Sequence, residues 1–398
     1  MPTTLSILRT GSATAPVTTV SASDTPTANT IPLAGSTGTI ASGFIPVTAG
    51  SGSSIVPFFA GNGKHGSITL ASGGGSIVSG VIAWDAAASE YYLLTDLQAN
   101  NLTIDANQTL RAEGWRCFVL NTLTNNGLIH ANGSNGSGLN AGAGAAPRNT
   151  TSAAMAGGAS GAAGVTITNG VANGTNSSAI ANTVRRGGAG GNGGDAITTL
   201  TSTGGVAAAG TLWSDATHGL PNAVLGPQAV TANSLKMTGG TGGASGACRG
   251  TGTGSSGGGG GGAGVVALSA LQIAMGTGAK VTCNGGTGGN GSSSVSPTSC
   301  GGGGGGGGGA IILVTTQLSS GTLTLEAKGG QGGDGSALGP INSGNGGNGG
   351  NGGYIEAFVA SGAPSNNVSG GTGGAGSGVT PQAGTTGSTG TAYTAPAA

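Results

Sequence analysis

The side chains able to do chemistry are sparse in this chain. The histidines are His65, His130 and His218. A zinc site needs His or Cys ligands at close, regular spacings. None of the three has a second His or Cys at such a distance, so each reads as a surface histidine. Paired carboxylates are the other route to catalysis, and a glycosidase brings two of them roughly 5–10 Å apart. Asp85 and Glu90 flank Trp84, and Asp105 and Glu113 flank a strand-like run. Stacked coils could bring such residues together, but no cluster stands out. The expectation is therefore a protein that is not an enzyme and has no metal or cofactor.

The cysteines are Cys117, Cys248, Cys283 and Cys300. Cys117 sits in the apolar run 117–120 and should pack as a small hydrophobe. Cys248 and Cys300 each precede a polyglycine run. Cys283 and Cys300 bracket a Gly/Ser-rich loop, so a Cys283–Cys300 disulfide is the alternative to free thiols, the reading that production in a cytoplasm favours. Trp213 and His218 share the patch Leu212-Trp213-Ser214-Asp215-Ala216-Thr217-His218. As an exposed pair they would be a receptor contact, with the indole stacking on a sugar face; local packing of Trp213 is the competing reading. Gly-x-Gly-x-x-Gly and Asn-x-Ser/Thr matches recur, but this composition produces them by itself.

The elements that must hold these residues are dominated by glycine, 92 of 398 residues, against the roughly 7% usual in proteins. Charged residues are 6%, and the net charge is zero. That removes the electrostatic case for nucleic-acid binding, and leaves Arg185-Arg186-Gly187-Gly188 as a solvated loop. No window approaches the ~20 apolar residues of a membrane helix. Met1-Pro2-Thr3-Thr4-Leu5 lacks the basic and apolar regions of a cleaved signal. The expectation is a soluble protein made in a cytoplasm, without membrane insertion.

Residues 1–72, rich in Thr, Ser, Ala and Pro, read as an extended N-terminal segment. Residues 73–135 carry short apolar runs separated by Asn/Gly corners and read as a β-rich domain. Residues 136–260 form a Gly/Ala/Ser/Thr-rich excursion, residues 261–379 glycine-rich β repeats, and residues 380–398 a flexible tail. The repeat is a strand pair followed by a Gly-Gly-X tract. It runs from Val265 and again from Ala310 and Tyr354, with a fainter copy near Phe118, at a period of some 44 to 46 residues.

Gly-Gly-X tracts occupy 187–195, 239–244, 285–291, 329–335, 346–353 and 370–376, and nine uninterrupted glycines fill 301–309. A chain with glycine at two of three positions suits an extended helix of three residues per turn, packed side by side so that backbone groups bond to one another. Collagen would need long unbroken Gly-X-Y rich in proline, which is absent. The predicted fold is all-β: short-strand β-solenoid or sandwich units with interleaved polyglycine II-like tracts. The tracts should be ordered.

The stretch Asn101-Leu102-Thr103-Ile104, Thr109-Leu110, Phe118-Val119, Thr122-Leu123-Thr124-Asn125-Asn126-Gly127-Leu128-Ile129, with the later Leu-Glu-Ala-Lys-Gly-Gly-Gln-Gly-Gly unit, resembles glycine-rich virion proteins of tailed bacteriophages. The tracts are similar to those of polyglycine II adhesins at tail-fibre tips. The resemblance covers roughly residues 40–380. It implies a homotrimeric fibre on the virion surface, assembled in the host cytoplasm and joined to other virion proteins through residues 1–72. The uncharged polar composition and Trp213 add the expectation of contact with a host-surface glycan, with an outer-membrane protein as the other partner. The alternatives are a capsid decoration or head-fibre protein on the major capsid lattice, a bacterial glycine-rich surface protein, and a polysaccharide-cleaving tailspike.

Overall fold

The computed structural model describes residues 61–74, 77–112, 114–144, 158–177, 187–197, 201–208, 239–339 and 342–395. It also describes short strands at Thr3–Leu5, Val20–Ala22, Phe44–Ile45, Phe58–Phe59, Met155–Ala156 and Met237–Thr238. The chain divides into Met1–Ser42 and Gly43–Ala398. In the first unit Thr3–Leu5 pairs antiparallel with Val20–Ala22. Every regular element among the described residues is a β-strand, so the chain is all-β.

Two sheets organise the second unit. The first joins β1 (Ile68–Leu70), β5 (Leu102–Ile104), β7 (Arg116–Asn125), β9 (Val265–Met275), β11 (Ala310–Ser320), β13 (Tyr354–Ser361) and β15 (Thr391–Ala395), with β4 (Leu97–Ala99) also on β7. All of its pairings are parallel. The second joins β2 (Ile82–Asp85), β3 (Glu90–Leu93), β6 (Thr109–Arg111), β8 (Leu128–His130), β10 (Lys280–Thr282), β12 (Thr324–Glu326) and β14 (Ser365–Asn367). It is parallel except for the β2–β3 hairpin at its edge.

The register explains the sequence pattern. Alternate residues of each strand face the space between the sheets. Val266, Ile311 and Ile355 stack at one level, and Leu268, Leu313 and Ala357 at the next. On the second sheet Tyr91, Leu110, Ile129, Val281 and Leu325 stack in the same way. All eleven are essentially inaccessible to solvent and belong to one core. Each full burial of such an aliphatic side chain contributes about 1.5–3 kcal/mol. Cys117 packs in this core as a small apolar side chain, as expected.

The strand starts Val265, Ala310 and Tyr354 match the predicted repeat, and β7, the fainter copy, pairs directly with β9. Residues 73–135 and 261–379 are consequently one continuous stack and not separate domains. The stack begins at β1, inside the segment read as an extended N-terminus. The expected flexible tail is corrected too: β15 adds to β13 in parallel, because its alternating small residues continue the same ladder. The β9–β10, β11–β12 and β13–β14 turns each place a glycine at positive φ (Gly278, Gly321, Gly362), as corners of this kind require. Gly127, between β7 and β8, is needed for another reason. A Cβ there would lie 2.1 Å from the carbonyl oxygen of Gln108.

Between the second sheet and the next strand of the first, the chain runs outward along one glycine tract and returns along another. These rods bond to each other through the backbone with partners that repeat every third residue, the rhythm of a helix with three residues per turn. Rod 301–309 is surrounded. Gly302, Gly305 and Gly308 donate to the carbonyls of Asn345, Asn348 and Asn351 at 2.9–3.0 Å. Its other amides reach rods 239–247 and 284–291, and its carbonyls accept from rods 187–195, 257–264 and 329–335. An added Cβ anywhere from 301 to 309 would fall within 2.5 Å of a neighbouring backbone atom. No direction is left for a side chain, which is why this rod is pure glycine. Rod 345–353 has one open side and spends it on Asn345, Asn348 and Asn351. The tracts are therefore ordered and mutually bonded, as the sequence predicted. Within 136–260, rods 158–164, 187–195, 239–247 and 257–264 belong to the same assembly.

Candidate functional site

The outer ends of the rods meet in a cap. The loops joining outgoing and returning rods form three small antiparallel sheets. One is Thr166–Ile167, Gly254–Ser255 and Ser292–Ser293. Another is Gly170–Ala172, Cys248–Gly250, Thr298–Cys300 and Ser336–Leu338. The third contains Ala196–Ile197, Thr201–Ser202, Ser343–Gly344 and Ser377–Gly378. Cys248 and Cys300 stand directly opposite each other and form a disulfide, with Ile167 packed against it.

This corrects the Cys283–Cys300 alternative. Cys283 lies at the sheet end of rod 284–291 and Cys300 at the cap end of rod 301–309, so a rod of roughly 25 Å, at ~3.1 Å per residue, separates them. Cys283 is free and buried, and its thiol donates to the Ala310 carbonyl at 3.3 Å. Burial pushes the Cys117 and Cys283 thiols up to about 12. The cap exposes apolar side chains: Val171, Val295 and Val379 are each more than half exposed, and Leu338 is exposed to a lesser degree.

The flanks of the rod assembly are polar. Asn and Asp at the X positions turn back onto the adjacent rod, where each accepts an outward-facing amide. Asn345, Asn348 and Asn351 take the N–H groups of Gln382, Thr385 and Ser388 at 2.8–3.1 Å. Asn135 takes Thr287, Asn284 takes Lys328, Asn290 takes Asp334, and Asp334 takes Ala375, at 2.7–2.9 Å. Two grooves run between flanking rods. One of about 430 Å³ is lined by residues 136–138, 287–290, 331, 332 and 334. The other, about 260 Å³, lies beside Asn192, Asp195, Asn345 and Asn348. The sequence reading missed these side-chain caps. Their signal was the choice of Asn at X in Gly-Asn-Gly-Gly-Asn-Gly-Gly-Asn.

Three of the titratable residues singled out in the sequence, Asp85, Glu90 and His130, lie on strands of the second sheet. Glu90 pairs with Arg111, and its Oε2 lies 2.9 Å from His130 Nε2. Asp85 sits 3.7 Å from the same guanidinium. His130 Nδ1 accepts from Asn132 N, so Nε2 carries the proton toward Glu90. His65 Nδ1 accepts the Gln98 amide at 3.0 Å, and partial burial together with the Lys64 charge lowers its pKa. On β12, Glu326 bridges Lys280 (2.9 Å) and Lys328 (3.0 Å) and accepts from Asn284. Burial alone would raise its pKa, but these three donors together hold it below the ordinary carboxylate value. Trp213, His218 and Glu113 lie outside the described residues. Among the described residues, no group of three or more His, Cys, Asp or Glu converges to hold a metal ion, and no helix is long and apolar enough to cross a membrane. Compared with known proteins, the chain matches no family model, no curated protein and no solved structure.

Proposed function

We propose that this chain is a non-enzymatic structural component of a tailed-bacteriophage virion, a tail fibre or adhesin that meets the host cell surface. The observation that carries the reading is the cap. Mutually bonded rods form a stiff, nearly uncharged support, and its far end presents Val171, Val295, Leu338 and Val379 in a cap where the Cys248–Cys300 bridge joins two strands. Rigid presentation of exposed apolar side chains suits a recognition surface.

In this reading the two sheets are a β-solenoid and the rods a polyglycine II lattice. Residues 1–72 attach to the particle, three chains associate, and the protein sits on the virion surface after assembly in the host cytoplasm. The resemblance to glycine-rich virion proteins supports these finer points. The purified full-length chain should bind cells of the bacterial host and block phage adsorption. Replacing Val295 and Val379 with Asp should abolish both effects without lowering the melting temperature. Failure of the unmodified chain to bind cells or block adsorption refutes the adhesin reading. Light scattering tests the trimer.

A further inference from the structure

Twelve asparagines of this chain are followed directly by glycine. Such a pair is prone to spontaneous deamidation, because a glycine amide has no side chain beside it to hinder attack on the preceding Asn Cγ. Eight of the twelve share one arrangement. The Asn Oδ1 accepts the N–H of a residue on a neighbouring segment, and the following glycine donates its own N–H to the C=O of that same residue. Asn345-Gly346 holds Gln382 in this way, Asn348-Gly349 holds Thr385, and Asn351-Gly352 holds Ser388. Asn132, Asn135, Asn173, Asn284 and Asn290, each with its glycine, hold Asn284, Thr287, Thr203, Lys328 and Asp334 respectively. Asn192-Gly193 makes a ninth engaged pair, with its two bonds going to Ala207 and Gly205.

The arrangement opposes the reaction at two points. Ring closure needs the glycine nitrogen as nucleophile, and it needs rotation about the Asn Cα–C bond to bring that nitrogen onto Cγ. In the engaged pairs the nitrogen is committed to a carbonyl, and moving the side chain to meet it breaks the Oδ1 bond as well. Asn62 lacks this protection. It is exposed, in the turn that leads into β1. Its Oδ1 accepts the Lys64 amide two residues on, at 3.1 Å, and the Gly63 N–H has no partner among the described residues. Of the other two pairs, Gly127 donates to Asn125 Oδ1 at 3.1 Å, and Gly170 opens a paired strand.

We infer that Asn62 is a site of spontaneous deamidation, and that the rod lattice keeps the nine engaged Asn-Gly pairs intact. The Gly63 nitrogen bonds to Asn62 Cγ and loses its proton, the Cγ–Nδ2 bond breaks, and ammonia leaves. Water then opens the resulting succinimide at either carbonyl, giving aspartate or isoaspartate. Water is the co-reactant, and no electrons are exchanged. Either product replaces a neutral amide by a carboxylate two residues from Lys64, and isoaspartate adds a backbone carbon just before β1. The change falls at the entry to the stack and leaves the rods untouched.

The test is incubation of the full-length protein at mildly alkaline pH, followed by peptide mapping with mass spectrometry and by enzymatic labelling of isoaspartate. In the folded protein Asn62 should convert at least about tenfold faster than Asn284, Asn345, Asn348 or Asn351, because two hydrogen bonds must break before any of those four can react. In guanidinium-unfolded protein that spread should collapse, since all five share the Asn-Gly sequence. Asn62→Gln should keep the melting temperature and remove the earliest gain in intact mass. Equal rates at Asn62 and the engaged pairs in the folded protein overturn the inference. So does a spread that persists after unfolding, or an Asn62→Gln chain that gains mass as fast as the unmodified one.

Discussion

A Cβ on Gly305 would stand 2.0 Å from the carbonyl oxygen of Gly330, which belongs to an adjacent rod. The obstacle is backbone held by its own hydrogen bonds, so it cannot swing aside as a side chain would. Gly305→Ala should therefore destabilise the protein by roughly 3 kcal/mol or more, at the upper end of over-packing effects. Thr385→Ala, at an exposed X position, should change stability by less than about 0.5 kcal/mol. Chemical denaturation of the two variants checks the contrast, and equal effects would contradict a surrounded central rod.

Asn348 accepts the Thr385 amide at 2.9 Å. Removing that acceptor leaves a donor that water can still reach. Asn348→Ala should thus cost about 1 kcal/mol, and the Thr385 amide should exchange hydrogen faster than in the unmodified chain. Deuterium uptake measured across 382–390 reads this directly. Unchanged protection would mean that the cap is incidental.

The Cys117 and Cys283 thiols should resist alkylation in the folded protein and react after unfolding, while Cys248 and Cys300 react only after reduction. Burial raises both thiol pKa values to about 12. A raised folded value stabilises the fold fully below the unfolded value near 9 and loses that contribution as pH climbs toward 12. The melting temperature should fall above about pH 9, and less steeply in the Cys117→Ala/Cys283→Ala double variant. A slope that is the same in both proteins would rule out these thiols as its source.

Glu326 behaves in the opposite sense. Its folded pKa is depressed, so its contribution is present above the unfolded value of about 4.5 and disappears as pH falls through the folded one. Glu326→Gln should lower stability at neutral pH and flatten the acid limb of a melting-temperature profile. An acid limb of undiminished steepness in the variant would show that other carboxylates control it.

The repeat was legible in the sequence because it is written twice over. Apolar residues fill 265–268 and 310–314 without a break and most of 354–359, and a strand buried on both faces requires such a run. Gly-Gly-X was legible for the same kind of reason, since only a chain that bonds through its backbone tolerates two glycines in three. The all-β class and the ordered tracts followed from these local patterns.

The tertiary structure alone decided who neighbours whom. The sequence marks 301–309 as nine glycines, but nothing local says that six other rods surround it. Residues 73–135 join 261–379 because β7 meets β9 across more than a hundred intervening residues, a pairing no local pattern encodes. Cys248 finds Cys300 and not Cys283 because partnership depends on which ends of two rods coincide. The caps made by Asn290 and Asn348 share that origin. Side-chain identity fixes what a residue can bond, and packing fixes which amide lies within its reach.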